Sequence, residues 1–405
     1  MKMLYLHQYF KTNQSSGGTR SYEFAKFLGD QGIDVHVITG IPSEPLDHEN
    51  IKVTSTGTAY NNKMSKSRRI LSFLDYNRKA FFKGWKDKEA SIIFATSTPL
   101  TIGLPAVLLA KMRKKKLIFE VRDVWPDVPI ALGYINNKLL IKFLRIFEKW
   151  IYNNAAHIIV LSDGMHQNLI NKGVPKEKLT TIENMANLYL YDEAREKKES
   201  PSPKDHENPE IEGKYQSGEE KIFTCIHPGT MGHVNGLDFV LDAAKITLSK
   251  DPEIHYLLIG DGKQKDHLKN RVQKEKIVNV TIEDAKPKAE VVENILSADV
   301  GLMCVDNQYK ILEDNSANKF FDFLAAGLPV LINYGGWQKR AIEENHCGKA
   351  TLTPEDMAEE ILSLKKDSKR LQTMAKNARA LAEEKYSDNI AKEKLLQIIN
   401  GINEI

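Results

Sequence analysis

Short apolar runs alternate along this chain with longer stretches in which apolar residues return every three or four positions. In the first half the runs Met3–His7, Asp34–Thr39, Ile51–Ser55, Ser91–Thr96, Lys116–Val121, His157–Leu161 and Leu179–Ile182 predict strands. In the second half Ile222–His227, His255–Ile259, Val278–Ile282, Val300–Val305, Pro329–Asn333 and Lys349–Leu352 do the same. Runs this short and this continuously apolar suit strands covered on both faces, and the helical stretches between them supply the cover. The alternation predicts an α/β chain with two doubly wound parallel sheets.

Between the two sets, Tyr191 to Lys221 carries Pro201, Pro203 and Pro209 among many Glu, Lys and Asp residues. Little there can be buried to offset ordering entropy, so 191–221 reads as a polar linker or surface excursion. Past Leu352 helices follow at Pro354–Leu364, Ser368–Lys385 and Asp388–Ile402. A length of 405 residues fits two domains better than one core.

One predicted helix differs from the others. Lys63 to Lys88 holds nine Lys or Arg and two Asp, interleaved with Ile70, Phe73, Leu74, Phe81, Phe82 and Trp85. Its spacing places much of the apolar set on one face, and a basic amphipathic helix can lie on an anionic leaflet; a helix packed on the sheet with a solvated basic rim is the plainer alternative.

Composition narrows the partners. The net charge of +3 argues against a dedicated nucleic-acid binder. Cys225, Cys304 and Cys347 lack the paired spacing of a zinc or redox centre and read as buried thiols in a reducing compartment. The start of the chain reads as a strand, and no run reaches the roughly 20 apolar residues of a membrane span, so a cytoplasmic protein is expected.

Candidate chemistry collects where strands meet helices. Ser15-Ser16-Gly17-Gly18-Thr19-Arg20 joins the first strand to a helix, and its glycines permit close backbone approach to a ligand or merely a tight turn. Arg122 and Asp123 close the fifth strand, where ligands of open α/β sheets bind, or they form only an ion pair that caps it. His227-Pro228-Gly229-Thr230-Met231-Gly232 and Gly260-Asp261-Gly262 form two Gly-rich turns in adjacent βα units, which points to a diphosphate. Asp314-Asn315-Ser316-Ala317-Asn318-Lys319-Phe320-Phe321-Asp322 leads into an apolar helix. There Lys319 can meet phosphate charge and Asp322, one turn in, can accept two hydrogen bonds from a sugar diol or simply complement the helix dipole.

Taken together, these motifs resemble bacterial glycosyltransferases of family 4, over nearly the whole length. The spacing Asp314-x7-Asp322 is similar to the paired-acid motif of that family, with aspartates where glutamates are usual, and Ala325-Ala326-Gly327-Leu328-Pro329-Val330 follows it. His7-Gln8-Tyr9-Phe10, Gly17-Gly18-Thr19-Arg20 and Arg122-Asp123-Val124-Trp125-Pro126 resemble the WbuB-like N-acetylfucosaminyl transferases of O-antigen and capsule assembly.

The resemblance implies a GT-B fold, two Rossmann-like domains facing across a cleft. Residues 1–190 would bind acceptor, 222–385 would bind the nucleotide-sugar, and the helix in 386–405 would cross back to the first domain. Asp322 would hold the ribose, and Asp314 the donor sugar with help from the amides of Asn315, Ser316 and Ala317. Gly229, Thr230 and Gly232 would adjoin the diphosphate together with Gly260 and Gly262, while Gly17 and Gly18 would approach it from the other domain. Asp123, with Arg122, would face the anomeric carbon. His7, Arg20, Arg68, Arg69, Lys79, Lys83 and Trp85 would lie on the acceptor and membrane side.

The usual Arg and Lys pair for the diphosphate is missing, with His233 and Asn235 nearby instead, so Lys319 is expected to carry more of that charge. The implied activity is retaining transfer of a sugar, such as an N-acetylated hexosamine or deoxyhexosamine, from a UDP-sugar to a lipid-pyrophosphate-linked saccharide. It would take place at the anionic inner face of the membrane, with no cofactor and no metal, since no Asp-Xaa-Asp triplet occurs. A nucleotide-sugar epimerase, a catalytically silent sugar-nucleotide binder and a nicotinamide-dependent oxidoreductase share the architecture; the last lacks its glycine fingerprint and ribose acid here.

Overall fold

A computed structural model describes residues 1–12, 18–42, 46–58, 60, 64–199 and 222–403. The chain divides into two units. The first comprises Met1–Met185, Gln308–Ser316 and Asp388–Ile405; the second comprises Ala186–Asn307 and Ala317–Ser387.

The first unit is built on seven parallel strands: β1 (Lys2–Leu6), β2 (Asp34–Thr39), β3 (Ile51–Ser55), β4 (Ile92–Thr96), β5 (Lys116–Val121), β6 (His157–Val160) and β7 (Leu179–Thr181). Their spatial order is β3-β2-β1-β4-β5-β6-β7. Its helices are α1 (Arg20–Asp30), α2 (Lys66–Lys86), α3 (Gly103–Arg113), α4 (Asp127–Ala131), α5 (Lys138–Asn154) and α6 (Asp163–Asn171). Successive strand residues serve opposite cores, as a period of two requires. Leu4 and Leu6 pack with Tyr76 and Ala80 of α2, Val107 and Leu109 of α3, and Ile151 of α5. Met3 and Tyr5 pack with Phe24 and Leu28 of α1 and with Leu395 and Ile399 of the helix Asp388–Asn403.

Two glycines draw α2, α3 and α5 into one tight layer. A Cβ on Gly84 would stand 2.8 Å from Leu109 Cδ1, and one on Gly103 would stand 2.3 Å from Ile151 Cδ1. Any side chain at either place would push neighbouring helices apart.

In the second unit six parallel strands run in the order β10-β9-β8-β11-β12-β13. They are β8 (Phe223–Pro228), β9 (Ile254–Ile259), β10 (Val280–Glu283), β11 (Val300–Met303), β12 (Val330–Ile332) and β13 (Gly348–Ala350). Each of the thirteen predicted strands is therefore present, most within a residue or two of its expected ends. Gly301 on β11 lets the helix Asn318–Ala325 press close, for a Cβ there would lie 2.6 Å from the Phe323 ring.

The polar stretch from Tyr191 corrects the linker expectation as far as Glu199. It lies in α7 (Leu188–Glu199), an ordered helix of the second unit. Tyr191 is wholly buried. Arg195 Nη2 donates to Ala326 O at 2.7 Å, and Arg379, which pairs with Asp192 at 2.8 Å, donates to Ala325 O at 2.9 Å. Charges that looked like solvated linker residues instead satisfy the carbonyl end of the helix Asn318–Ala325. Residues 200–221 lie outside the described residues.

Candidate active site

In an open α/β sheet ligands bind beyond the carboxyl ends of the strands, where the strand order reverses. The first unit reverses between β1 and β4, the second between β8 and β11. Candidate residues gather at both places.

At the first reversal His7 follows β1, Ser97 and Thr98 follow β4, and Arg122 and Asp123 follow β5. Ser97 Oγ accepts from the Arg122 amide at 3.0 Å, and Thr98 Oγ1 donates to Asp123 Oδ2 at 3.2 Å. Asp123 is accessible to solvent, yet surrounding protein raises its carboxyl above the ordinary range against the opposing charge of Arg122. His7 is buried and neutral: burial, and then the charge of Arg122, holds it well below its usual value.

Arg20 was expected on the acceptor and membrane side, and the structure corrects this. Its side chain is only 2% exposed, and Nε meets Glu120 Oε1 at 2.8 Å while Nη2 donates to Ile182 O at 2.8 Å. Nη1 donates to Glu183 O. Thr96 Oγ1 donates to the other Glu120 oxygen at 2.5 Å. Burial alone would raise Glu120, but Arg20, Arg122 and these hydrogen bonds outweigh it and hold the carboxyl below its ordinary range. The pair ties the start of α1 to β5 and to the chain after β7. His7, equally buried, also leaves the membrane side.

Gly18 stands just before Thr19, the residue that precedes α1; Gly17 lies outside the described residues. Arg68 and Trp85 are exposed on α2, Arg69 and Lys83 are half-buried, and Lys79 pairs with Asp75 at 2.6 Å.

The second reversal is built around a lysine and a histidine. His227, at the end of β8 and completely buried, lies 3.0 Å through Nδ1 from Leu302 O of β11. A carbonyl only accepts, so Nδ1 carries the proton and Nε2 is left as an acceptor. Lys319 Nζ donates to Nε2 at 3.0 Å. Burial first, and the lysine charge second, keep His227 well below its usual value, hence neutral. Burial also lowers Lys319 to about 8.

Lys319 Nζ would lie 3.2 Å from a Cβ on Gly229, whose φ of 138° disfavours any side chain as well. Glycine here keeps the ammonium at the tip of the turn, where Gly229 and Thr230 are exposed.

The two Gly-rich turns are not two phosphate cradles. A Cβ on Gly260 would lie 1.8 Å from Gly229 O, and one on Gly262 would lie 2.2 Å from Met231 O. Both glycines serve backbone packing between the turns. The amides of Gly229, Met231 and Gly232 are bonded to Ile259 O at 2.7 Å, Asp261 O at 3.0 Å and Asn235 Oδ1 at 3.1 Å. Asn235 thus shapes the turn. What the turn offers an anion is room at Gly229 and the charge of Lys319.

Asp322 lies one turn beyond Lys319 on the same helix, nearly buried, with Oδ1 2.5 Å from Lys288 Nζ. The Tyr191 hydroxyl, raised well above its ordinary value by burial and then by Asp322, faces the same carboxylate. Asp314 is placed otherwise. Asp314, Asn315 and Ser316 belong to the first unit, whereas Ala317 caps the helix of the second. Ser162 Oγ donates to Asp314 O at 2.7 Å, and a Cβ on Gly164 would lie 1.7 Å from Asp314 Oδ1, so this carboxylate rests on the first turn of α6. Asn315 Nδ2 donates to Leu312 O at 2.7 Å, and Ser316 Oγ accepts from the Asn184 amide at 3.3 Å. Sequence reasoning named His227 at the head of the first Gly-rich turn but gave it no role, and it missed Lys288, one charged residue among many.

Comparison with known proteins decides the class. The family described as Glycosyltransferase Family 4 matches residues 17–189, and Glycosyl transferases group 1 matches residues 208–381. This chain is a glycosyltransferase of the family 4 and group 1 type. The probable glycosyltransferase WbjE of Pseudomonas aeruginosa is 22% identical over 328 residues, which is 78% of this chain and 76% of WbjE.

Among solved structures, sucrose-phosphate synthase of Thermosynechococcus elongatus superposes with a TM-score of 0.74 at 13% identity, covering 100% of this chain and 99% of its own. HepE of Anabaena, solved with UDP-glucose, gives 0.70 at 16% identity and covers 99% and 100%. The fold of this glycosyltransferase is GT-B, with two parallel-sheet Rossmann-like units.

Proposed function

We propose that this glycosyltransferase moves a sugar from a UDP-sugar to a hydroxyl of a lipid-pyrophosphate-linked saccharide, with retention of anomeric configuration, in surface polysaccharide synthesis. One observation carries the reading: the Lys319 ammonium rests on a neutral histidine at the mouth of the β8–Gly229 turn, one helical turn before Asp322. Among the described residues it has no carboxylate partner, so its charge remains to meet a diphosphate. Asp322 supplies a carboxylate for the ribose diol, with Lys288 fixing its position. HepE, solved with UDP-glucose, supports UDP as the carrier. Among N-acetylated sugars, an N-acetylhexosamine or a deoxy relative such as N-acetylfucosamine is the donor favoured by the resemblance of the motifs.

In the reaction the bond from the anomeric carbon to the diphosphate oxygen breaks as the acceptor oxygen bonds to the same face of that carbon. The departing phosphate oxygen takes the acceptor proton. Negative charge grows on the leaving diphosphate, where Lys319 stabilises it, and this charge needs no metal. Asp123, with Arg122, is assigned to the sugar side of the reaction. The basic face of α2 brings the protein to the membrane that carries the acceptor.

The test is a panel of UDP-, GDP- and dTDP-sugars with lipid-pyrophosphate-linked GlcNAc as acceptor. The reading expects turnover from a UDP-sugar, α- and β-products distinguished by NMR to show retention, and a rate unchanged by EDTA. Inverted product, or conversion of donor to its epimer without acceptor, would refute it.

A further inference from the structure

The largest apolar exposure in the described chain is on the outer side of the α2–α3–α5 layer. On α3, Leu104, Leu108 and Met112 are exposed at four-residue spacing, opposite the buried Ala106, Val107 and Ala110. On α5, Leu139, Phe143 and Ile146 are exposed by 80%, 62% and 60%, opposite the buried Ile151 and Tyr152. On α2, Leu71, Leu74, Phe82 and Trp85 continue the face. The three helices are adjacent because Gly84 and Gly103 let them touch, so three stripes make one surface. Soluble monomers rarely leave a contiguous apolar patch of this kind uncovered unless it meets a partner.

The charge around the patch says which partner. These three helices carry thirteen Lys and Arg against two acids, Asp75 and Glu148, while the whole chain has an excess of only +3. Both acids are already committed: Asp75 pairs with Lys79 at 2.6 Å, and the buried Glu148 pairs with Lys172 at 2.6 Å. Basic residues also border the aromatic ones. The Arg113 guanidinium lies 4.9 Å from the Trp85 ring centre, and Lys111 Nζ lies 6.0 Å from that of Trp150. Apolar stripes rimmed by cations and amphipathic aromatics suit an anionic lipid surface, in which such helices sink about 5–10 Å. No helix among the described residues is long and apolar enough to cross a membrane.

We propose that the α3–α5 face inserts into the interfacial region of an anionic bilayer, with α2 as its basic flank. The inference deepens the membrane-side reading above and rests on it for the acceptor, but not for the surface. Insertion differs from electrostatic adhesion in its response to salt, because screening removes only the second.

The experiment is flotation of the full chain with vesicles of phosphatidylcholine, with and without 30% phosphatidylglycerol, at low and at 1 M salt. Wild type is expected to float with the anionic vesicles and to stay partly bound at 1 M salt, with a blue shift of tryptophan emission. Leu139→Ser/Phe143→Ser/Ile146→Ser should lower vesicle partitioning at least tenfold while thermal midpoint and turnover of a short water-soluble acceptor stay unchanged. Leu104→Ser/Leu108→Ser/Met112→Ser should act likewise, as a second variant should the first fold poorly.

Unchanged binding by both variants, or complete release of wild type at 1 M salt, overturns insertion. So does a wild-type dimer that the variants dissolve while vesicle binding persists, since a second copy would then cover the face. The vesicles contain no acceptor. Flotation without turnover would therefore condemn the proposed reaction and leave this inference standing, and turnover without flotation the reverse.

Discussion

Arg20 of the first unit and Lys319 of the second are two cations drawn into the protein near the strand-order reversals, and they are used in opposite ways. In the first unit Arg20 is closed off by Glu120 and two carbonyls, with nothing left over for a ligand. In the second, Lys319 rests on a neutral imidazole whose other nitrogen is occupied by Leu302 O. A carboxylate partner cancels charge; an uncharged acceptor orients it and leaves it intact. Arg20 therefore braces its unit, whereas the charge of Lys319 is left uncancelled, as the proposed diphosphate role requires.

The largest expected effect tests the brace. Arg20→Ala leaves Glu120 ionised and buried, and removing one partner of such a pair costs about 3–5 kcal/mol. Chemical denaturation should show that loss, and a stability within about 0.5 kcal/mol of wild type would mean that Arg20 is no brace. Next comes the carboxylate proposed for the ribose. Asp322→Ala should weaken UDP about tenfold or more by calorimetry, since hydrogen bonds to a charged group contribute about 1.5–3 kcal/mol. Unaltered UDP affinity would remove Asp322 from the ribose.

His227→Phe keeps the bulk and deletes the acceptor, so Lys319 is released while the core stays filled. UDP should bind several-fold more weakly with uridine unaffected, and equal loss for both ligands would point to general disruption. The smallest effect is a pH profile. Lys319 is lowered to about 8 in the free protein, so its ammonium is present below that pH and lost above it. UDP affinity should fall between pH 7 and 9 in wild type and stay flat in Lys319→Met. A bound diphosphate favours the protonated lysine, so binding should be accompanied by proton uptake near pH 8.

Much of this architecture was legible in the chain, for a physical reason. Strands such as Ile92–Thr96 are buried on both faces, and continuous apolar runs report that directly. The Lys319 and Asp322 helix was also legible, because its apolar run and terminal Gly327 are local signals, although Ala317 caps it with no side-chain hydrogen bond. Pairings across long stretches of chain were not. Arg20 meets Glu120 a hundred positions away, and nothing near Arg20 marks it as buried. Likewise Tyr191 anchors a helix whose composition imitates a linker. The eight-residue spacing of Asp314 and Asp322 reads as one motif, yet the boundary between units passes between Ser316 and Ala317.

The proposed reaction stands or falls with Lys319, held by His227, as the diphosphate cation of the second unit. Calorimetric titration of wild type and Lys319→Met with UDP and with uridine tests it most directly. Lys319→Met is expected to lose ten- to hundredfold in UDP affinity, about 1.5–3 kcal/mol, with uridine affinity unchanged. Equal UDP affinity in the two proteins would contradict it.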